Sequence, residues 1–180
     1  MRLTALIRRF ATVLTLAFAK HALAAAHSLE APNVVVISPQ LVTSGQPTAD
    51  ALSHLAAQSF GAVIYLAPPT VSDAVPGEAT IVRKQGLEFV NIPIRFGAPT
   101  DADFRSFVAA MNRFQGRKVL VHCQLNMRAS SMTFLYRVIV QHVEPDQAYQ
   151  AVARVWVPEG PWKGLLTSEL QKAGIAFEPY

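Results

Sequence analysis

A single cysteine, Cys123, stands in a chain of 180 residues. That scarcity excludes an intramolecular disulfide and any metal site built from several thiolates. Histidine is nearly as rare. Of the five, His27, His54 and His142 fall at no ligand spacing, so neither a metal ion nor another cofactor is expected. Charged residues make up only 16% of the chain, and nowhere do lysines and arginines cluster among aromatics, which removes the footprint of a nucleic-acid binder. No uncharged apolar run approaches the ~20 residues that cross a bilayer. With 51% hydrophobic residues the chain is nevertheless too apolar to stay disordered, and its length suits one domain with a sizeable core.

The formal charge of +4 is concentrated at the start. Arg2, Arg8 and Arg9 precede the apolar run Phe10 to Ala19, Lys20 ends it, and Ala24-Ala25-Ala26 supplies small residues for cleavage. A basic stretch, a short apolar stretch and a small-residue site form the pattern of a secretory signal peptide over residues 1–26. Without those four basic residues, residues 27–180 hold twelve basic and twelve acidic side chains. The mature chain is therefore expected to be neutral, periplasmic or secreted, and free of stable membrane insertion.

Along residues 27–180, short β-branched runs alternate with helical patterns. Val34 to Ile37, Leu41 to Thr43, Ala62 to Leu66, Leu87 to Ile92 and Lys118 to His122 read as strands. Helices are predicted from Thr48 to near Gly61, over Glu78 to Gln85, from Thr100 or Asp101 to about Gln115, and over Arg128 to His142, Pro145 to Val155 and Pro161 to Ala173. This order predicts a single-domain α/β fold, a mostly parallel sheet with helices on both faces. Ligands of such folds bind beyond the carboxyl ends of the strands.

At one such end the chain reads Val121-His122-Cys123-Gln124-Leu125-Asn126-Met127-Arg128-Ala129-Ser130. A cysteine closes a buried strand and an arginine opens a long helix, with four residues between. Amides in a turn of this kind converge, and the helix N-terminus adds partial positive charge, so an oxyanion is favoured there. A guanidinium at Arg128 can grip two of its oxygens, and an anionic sulfur at Cys123 is a nucleophile. Asn126 suits the turn because asparagine tolerates left-handed backbone angles.

These segments, with LVTSGQPTADALSHLAAQSFGAVIYLAPP and GLEFVNIPIRFGAPTDADF before them, resemble the cysteine-based protein tyrosine/dual-specificity phosphatase superfamily, in its small bacterial DUF442, or beta-lactamase-hydrolase-like, branch. The resemblance implies a phosphatase-like fold and a phosphate-bearing substrate. It also implies Cys123 as the nucleophile on phosphorus, Arg128 as phosphate ligand, and Gln124, Leu125, Asn126, Met127 and Arg128 as the cradle. His122 would orient the loop and the SGQP turn would be structural.

Three features depart from the superfamily. The loop has four residues between Cys and Arg instead of five, a spacing shared with rhodanese-type sulfurtransferases. Ala129 stands where a hydroxyl usually follows the arginine, with Ser130 one place later. The stretch IPIRFGAPT lacks the aspartate that would protonate the leaving oxygen; Asp101 is the candidate acid, Asp103 the next, and both also suit a helix start. Three activities therefore remain open. They are an exported phosphomonoester hydrolase with a phosphocysteine intermediate, a sulfurtransferase with a persulfide on Cys123, and a non-catalytic oxyanion-binding module.

Overall fold

The computed structural model describes residues 29–180; the signal peptide expected over residues 1–26 lies outside them. Five strands, β1 (Val35–Ser38), β2 (Leu41–Ser44), β3 (Phe60–Tyr65), β4 (Glu88–Asn91) and β5 (Lys118–His122), form one sheet in the order β1-β2-β5-β3-β4. The β1–β2 pair is antiparallel and the other three pairs are parallel. Among the described residues six α-helices accompany the sheet: α1 (Ala49–Ser53), α2 (Glu78–Arg83), α3 (Asp101–Arg113), α4 (Met127–Ile139), α5 (Pro145–Ala153) and α6 (Gly160–Lys172).

Alternation along the central strands sends side chains to two cores. Val119 and Val121 of β5, with Ala62 and Ile64 of β3, pack with Phe104 and Phe107 of α3, Met132 and Leu135 of α4, and Leu166 of α6. Leu120 and Val63 point the other way, against Leu52, Leu55 and Val82 from the α1–α2 side. Burial on both faces is why these strands read as continuous apolar runs rather than alternating ones.

Most expected elements occur where the sequence places them. Gly86 and Gly116 follow α2 and α3 with φ of 79° each, the left-handed conformation that stops a helix at little cost to glycine. One helix is shorter than expected. The segment from Thr48 to Gly61 divides into α1, which ends at the His54 cap, and a single 3₁₀ turn over Ala56–Gln58, which Ser59 closes in the left-handed conformation at φ 65° before β3.

Candidate active site

In the sheet register His122 lies level with Ser44 on one side and Tyr65 on the other. The carboxyl ends of β2, β5 and β3 therefore finish together, and the loop from Cys123 to Arg128 rises from the middle of the three. Cys123 is fully buried, and its amide donates to Ser44 O at 3.3 Å. Asn126 takes φ 70°, the left-handed geometry anticipated for this turn. Its buried side chain ties the turn down by donating through Nδ2 to Asn33 O at 2.6 Å and Thr43 Oγ1 at 3.0 Å. No side chain caps α4, so its first-turn amides are left to a ligand or to water.

The SGQP turn braces the loop from outside. Gln46 N donates to Gln124 O at 3.0 Å, and Gly45 forms an isolated bridge with Leu125. The approach is so close that a Cβ on Gly45 would lie 2.6 Å from Gln124 O.

Arg128 is 5% exposed and held on three sides. Its Nε donates to Ile94 O at 3.0 Å, Nη1 donates to Gln124 Oε1 at 3.4 Å, and the guanidinium carbon stands 5.0 Å from the centre of the Phe96 ring. Of its five N–H donors these bonds engage two, which leaves a fork for an oxyanion. Phe96 is propped in turn by Trp156 and Trp162, at ring separations of 5.7 and 5.9 Å, and Trp162 Nε1 donates to Phe96 O at 2.8 Å. The two tryptophans thus support the residue that covers the arginine. Phe96, Gln124, Leu125, Met127 and Arg128 line a cleft of about 230 Å³, with Leu125 half exposed at its rim.

Beneath the loop lies a buried polar group that the sequence did not single out as a unit. Glu78, at the start of α2, places Oε1 2.7 Å from His122 Nε2 and accepts from Gln46 Nε2 at Oε2 over 2.9 Å. The His122 contact is an ion-pair distance without the alignment of a hydrogen bond. Tyr65 stacks on His122 at 4.7 Å. Burial, foremost, and then the negative charges of Glu78, Asp73 and Cys123 push the Tyr65 phenol well above its ordinary range, against the opposing pull of Arg128. That phenol stays protonated at physiological pH.

The other candidates occupy defined places. Asp101 opens α3 and is paired with Lys172 of α6, which foremost holds its carboxyl below the usual carboxylate range. Asp103 completes a capping box, its Oδ2 accepting from Thr100 N at 2.8 Å and Thr100 Oγ1 at 2.7 Å. Ser130 turns its hydroxyl back to Met127 O at 3.2 Å. A carboxylate that sequence reasoning passed over, Asp73, does reach the loop: its Oδ1 accepts from Gln124 Nε2 at 2.8 Å. Nothing in the local pattern around Asp73 marks it, since fifty residues separate it from its partner.

Comparison with known proteins accords with this geometry. Residues 7–160 match the family model described as DSP-PTPase phosphatase fused to NAD+ kinase. Among solved structures, a DUF442 protein from Shewanella putrefaciens CN-32 assigned to the phosphatases is 33% identical, with a TM-score of 0.73 over 79% of this chain and 92% of that one. Tk-PTP in its active form is 21% identical, with a TM-score of 0.62 over 79% of this chain and 96% of its own. PTPMT1 in complex with PI(5)P is 18% identical, with a TM-score of 0.67 over 78% of this chain and 96% of its own. These last two share the fold. No curated protein sequence matches the chain.

Proposed function

From the premise that the chain belongs to the cysteine-based tyrosine/dual-specificity phosphatase superfamily, in the family of DSP-PTPase phosphatases fused to NAD+ kinase, we propose that it hydrolyses a phosphomonoester through a phosphocysteine intermediate. The observation that carries the reading is the pairing of a buried Cys123 at the end of β5 with a clamped, incompletely engaged Arg128 at the uncapped start of α4.

The phosphate enters the cleft with its oxygens on the loop amides of Gln124 to Arg128 and on the Arg128 fork. The Cys123 thiolate attacks phosphorus. As the S–P bond forms, the P–O bond to the leaving alcohol breaks, and that oxygen takes a proton from a protein acid. Water then attacks the phosphocysteine, the S–P bond breaks, the thiolate returns and inorganic phosphate leaves. The amides and guanidinium stabilise charge that grows on the equatorial oxygens, an effect usually worth several kcal/mol of barrier. A role for Asp101 as the acid requires its pair with Lys172 to open. The sequence pattern of residues 1–26 supports export, and the mass of the protein recovered from the cell envelope would reveal cleavage near Ala26.

Aryl-phosphate hydrolysis, measured beside thiosulfate-to-cyanide sulfur transfer, tests the proposal. Cys123→Ser is expected to abolish phosphate release, and Arg128→Lys to lower kcat/KM by about 10²–10³ because a point charge cannot replace the planar fork. Phosphate release that survives Cys123→Ser sinks the thiolate mechanism. Sulfur transfer alone selects the persulfide chemistry, and neither activity, with Arg128-dependent stabilisation by phosphate, selects an oxyanion-binding module.

A further inference from the structure

We propose that Asp73 is the proton donor to the leaving oxygen, filling from another loop the place of the carboxylate absent from residues 92–100; the inference rests on the phosphatase reading. The leaving alkoxide of a phosphomonoester needs a proton unless it is already a good anion, so a carboxyl group must stand at the cleft. Among the described residues, the carboxylates near the site can be sorted by their partners. Glu78 is 5% exposed beneath the loop and occupied by His122 and Gln46. Asp101 is held ionised by Lys172, which opposes proton donation. Asp103 is consumed in the cap of α3.

Asp73 is exposed and is engaged by one side-chain hydrogen bond. It sits exposed on the connection between β3 and α2, where Val71 N to Pro68 O at 3.3 Å and Ala74 N to Val71 O at 3.1 Å wind the chain into consecutive turns that present it. Its Oδ1 accepts from Gln124 Nε2, while the same amide takes Arg128 Nη1 on its oxygen. Gln124 and Arg128 both line the cleft, so the carboxylate is bonded to the cleft wall from behind Gln124, one side chain from the phosphate ligand. Its Oδ2 has no protein partner among the described residues and is the oxygen free to carry the proton. In the first step that proton passes from Oδ2 to the leaving oxygen as P–O breaks and S–P forms. In the second, the carboxylate receives a proton from the attacking water as the new P–O bond forms and S–P breaks, which restores the acid.

The test is a leaving-group series, from a dinitrophenyl phosphate through phenyl phosphate to an alkyl phosphate, with kcat/KM measured for wild type, Asp73→Asn, Gln124→Ala and Asp101→Asn. Asp73→Asn is expected to lose about 10²-fold or more on phenyl and alkyl phosphates, almost nothing on the dinitrophenyl ester, and the basic limb of the pH–rate profile. Asp73→Glu keeps a carboxyl group and should restore part of the phenyl phosphate rate, which guards against a loss caused by misfolding. An equal loss across the series, matched by Gln124→Ala, would assign Asp73 a positioning role and overturn the proposal. So would an unchanged Asp73→Asn profile, or the same selective loss in Asp101→Asn. Cys123-dependent hydrolysis with an indifferent Asp73 removes this inference and leaves the phosphatase reading standing. A wild type that releases no phosphate removes both.

Discussion

Gly45 shows how one residue type can decide whether the loop closes. A Cβ there would lie 2.6 Å from Gln124 O and 2.9 Å from the Pro32 ring, and two of the three nearest atoms are backbone that cannot rotate away. The glycine is required by this close approach, and its own amide donates to Pro32 O at 2.7 Å. Gly45→Ala should therefore push the SGQP turn off the loop. A loss of about 1–3 kcal/mol in urea denaturation is expected from overpacking of this kind, together with weaker phosphate binding as Gln124 shifts. Wild-type stability with unaltered phosphate affinity would show that the turn gives way freely. Asn126 depends on chemistry as well as shape, since it combines a left-handed φ with two side-chain bonds that no alanine could make.

At the scale of elements, α2 does more than cover the sheet. Although only six residues long, it delivers Glu78 to the underside of the loop, and through it joins the turn after β2 to the last residue of β5. Removing Glu78 leaves Gln46 Nε2 and His122 buried without their carboxylate, so Glu78→Ala should destabilise the fold by about 1–3 kcal/mol. A double-mutant cycle with His122→Phe measures how much of this belongs to the pair, and the double variant is expected to lose less than the two single losses combined. Strict additivity would mean that the two residues act independently. Equivalent logic applies on the other rim, where the segment after β4 supplies both the Ile94 carbonyl and the Phe96 ring to Arg128, and α6 supports that ring through Trp162.

Across the whole molecule, α3 and α6 are tied at the surface by Asp101, Lys172 and Glu169. The pairing with Lys172 lowers the Asp101 carboxyl, and bonds to Asp101 and then Glu169 raise the Lys172 amine. The signs define a window. The Asp101 contribution is complete above the ordinary carboxylate range and is lost as pH falls through its depressed value; that of Lys172 is complete below the ordinary lysine range and is lost as pH rises through its raised value. Lys172→Met should thus melt slightly below wild type at neutral pH and converge with it at strongly acidic and strongly alkaline pH. The difference should be small and salt-sensitive because the pair is exposed. A gap that persists at both extremes would assign the effect to lost packing instead.

The legible part of this protein is the part built from neighbours in sequence. Continuous β-branched runs betrayed buried strands, glycines marked the ends of α2 and α3, and Cys123 to Arg128 could be read as an anion-binding turn because strand end, turn and helix start are contiguous. Local patterns overextended α1, since no glycine or proline marks its end at Ser53 or the left-handed turn at Ser59. They were silent on what surrounds the loop. Ser44 and Gly45 meet it because β2 pairs with β5, Ile94 and Phe96 because the chain leaving β4 folds back over Arg128, and Asp73 because the β3–α2 connection reaches Gln124. By itself, then, the sequence determined the elements, their alternation and the cysteine–arginine unit, all of which depend on short-range periodicity and turn chemistry. Only the tertiary structure decided which distant side chains complete the site, because strand order and loop return bring together groups that no spacing along the chain records.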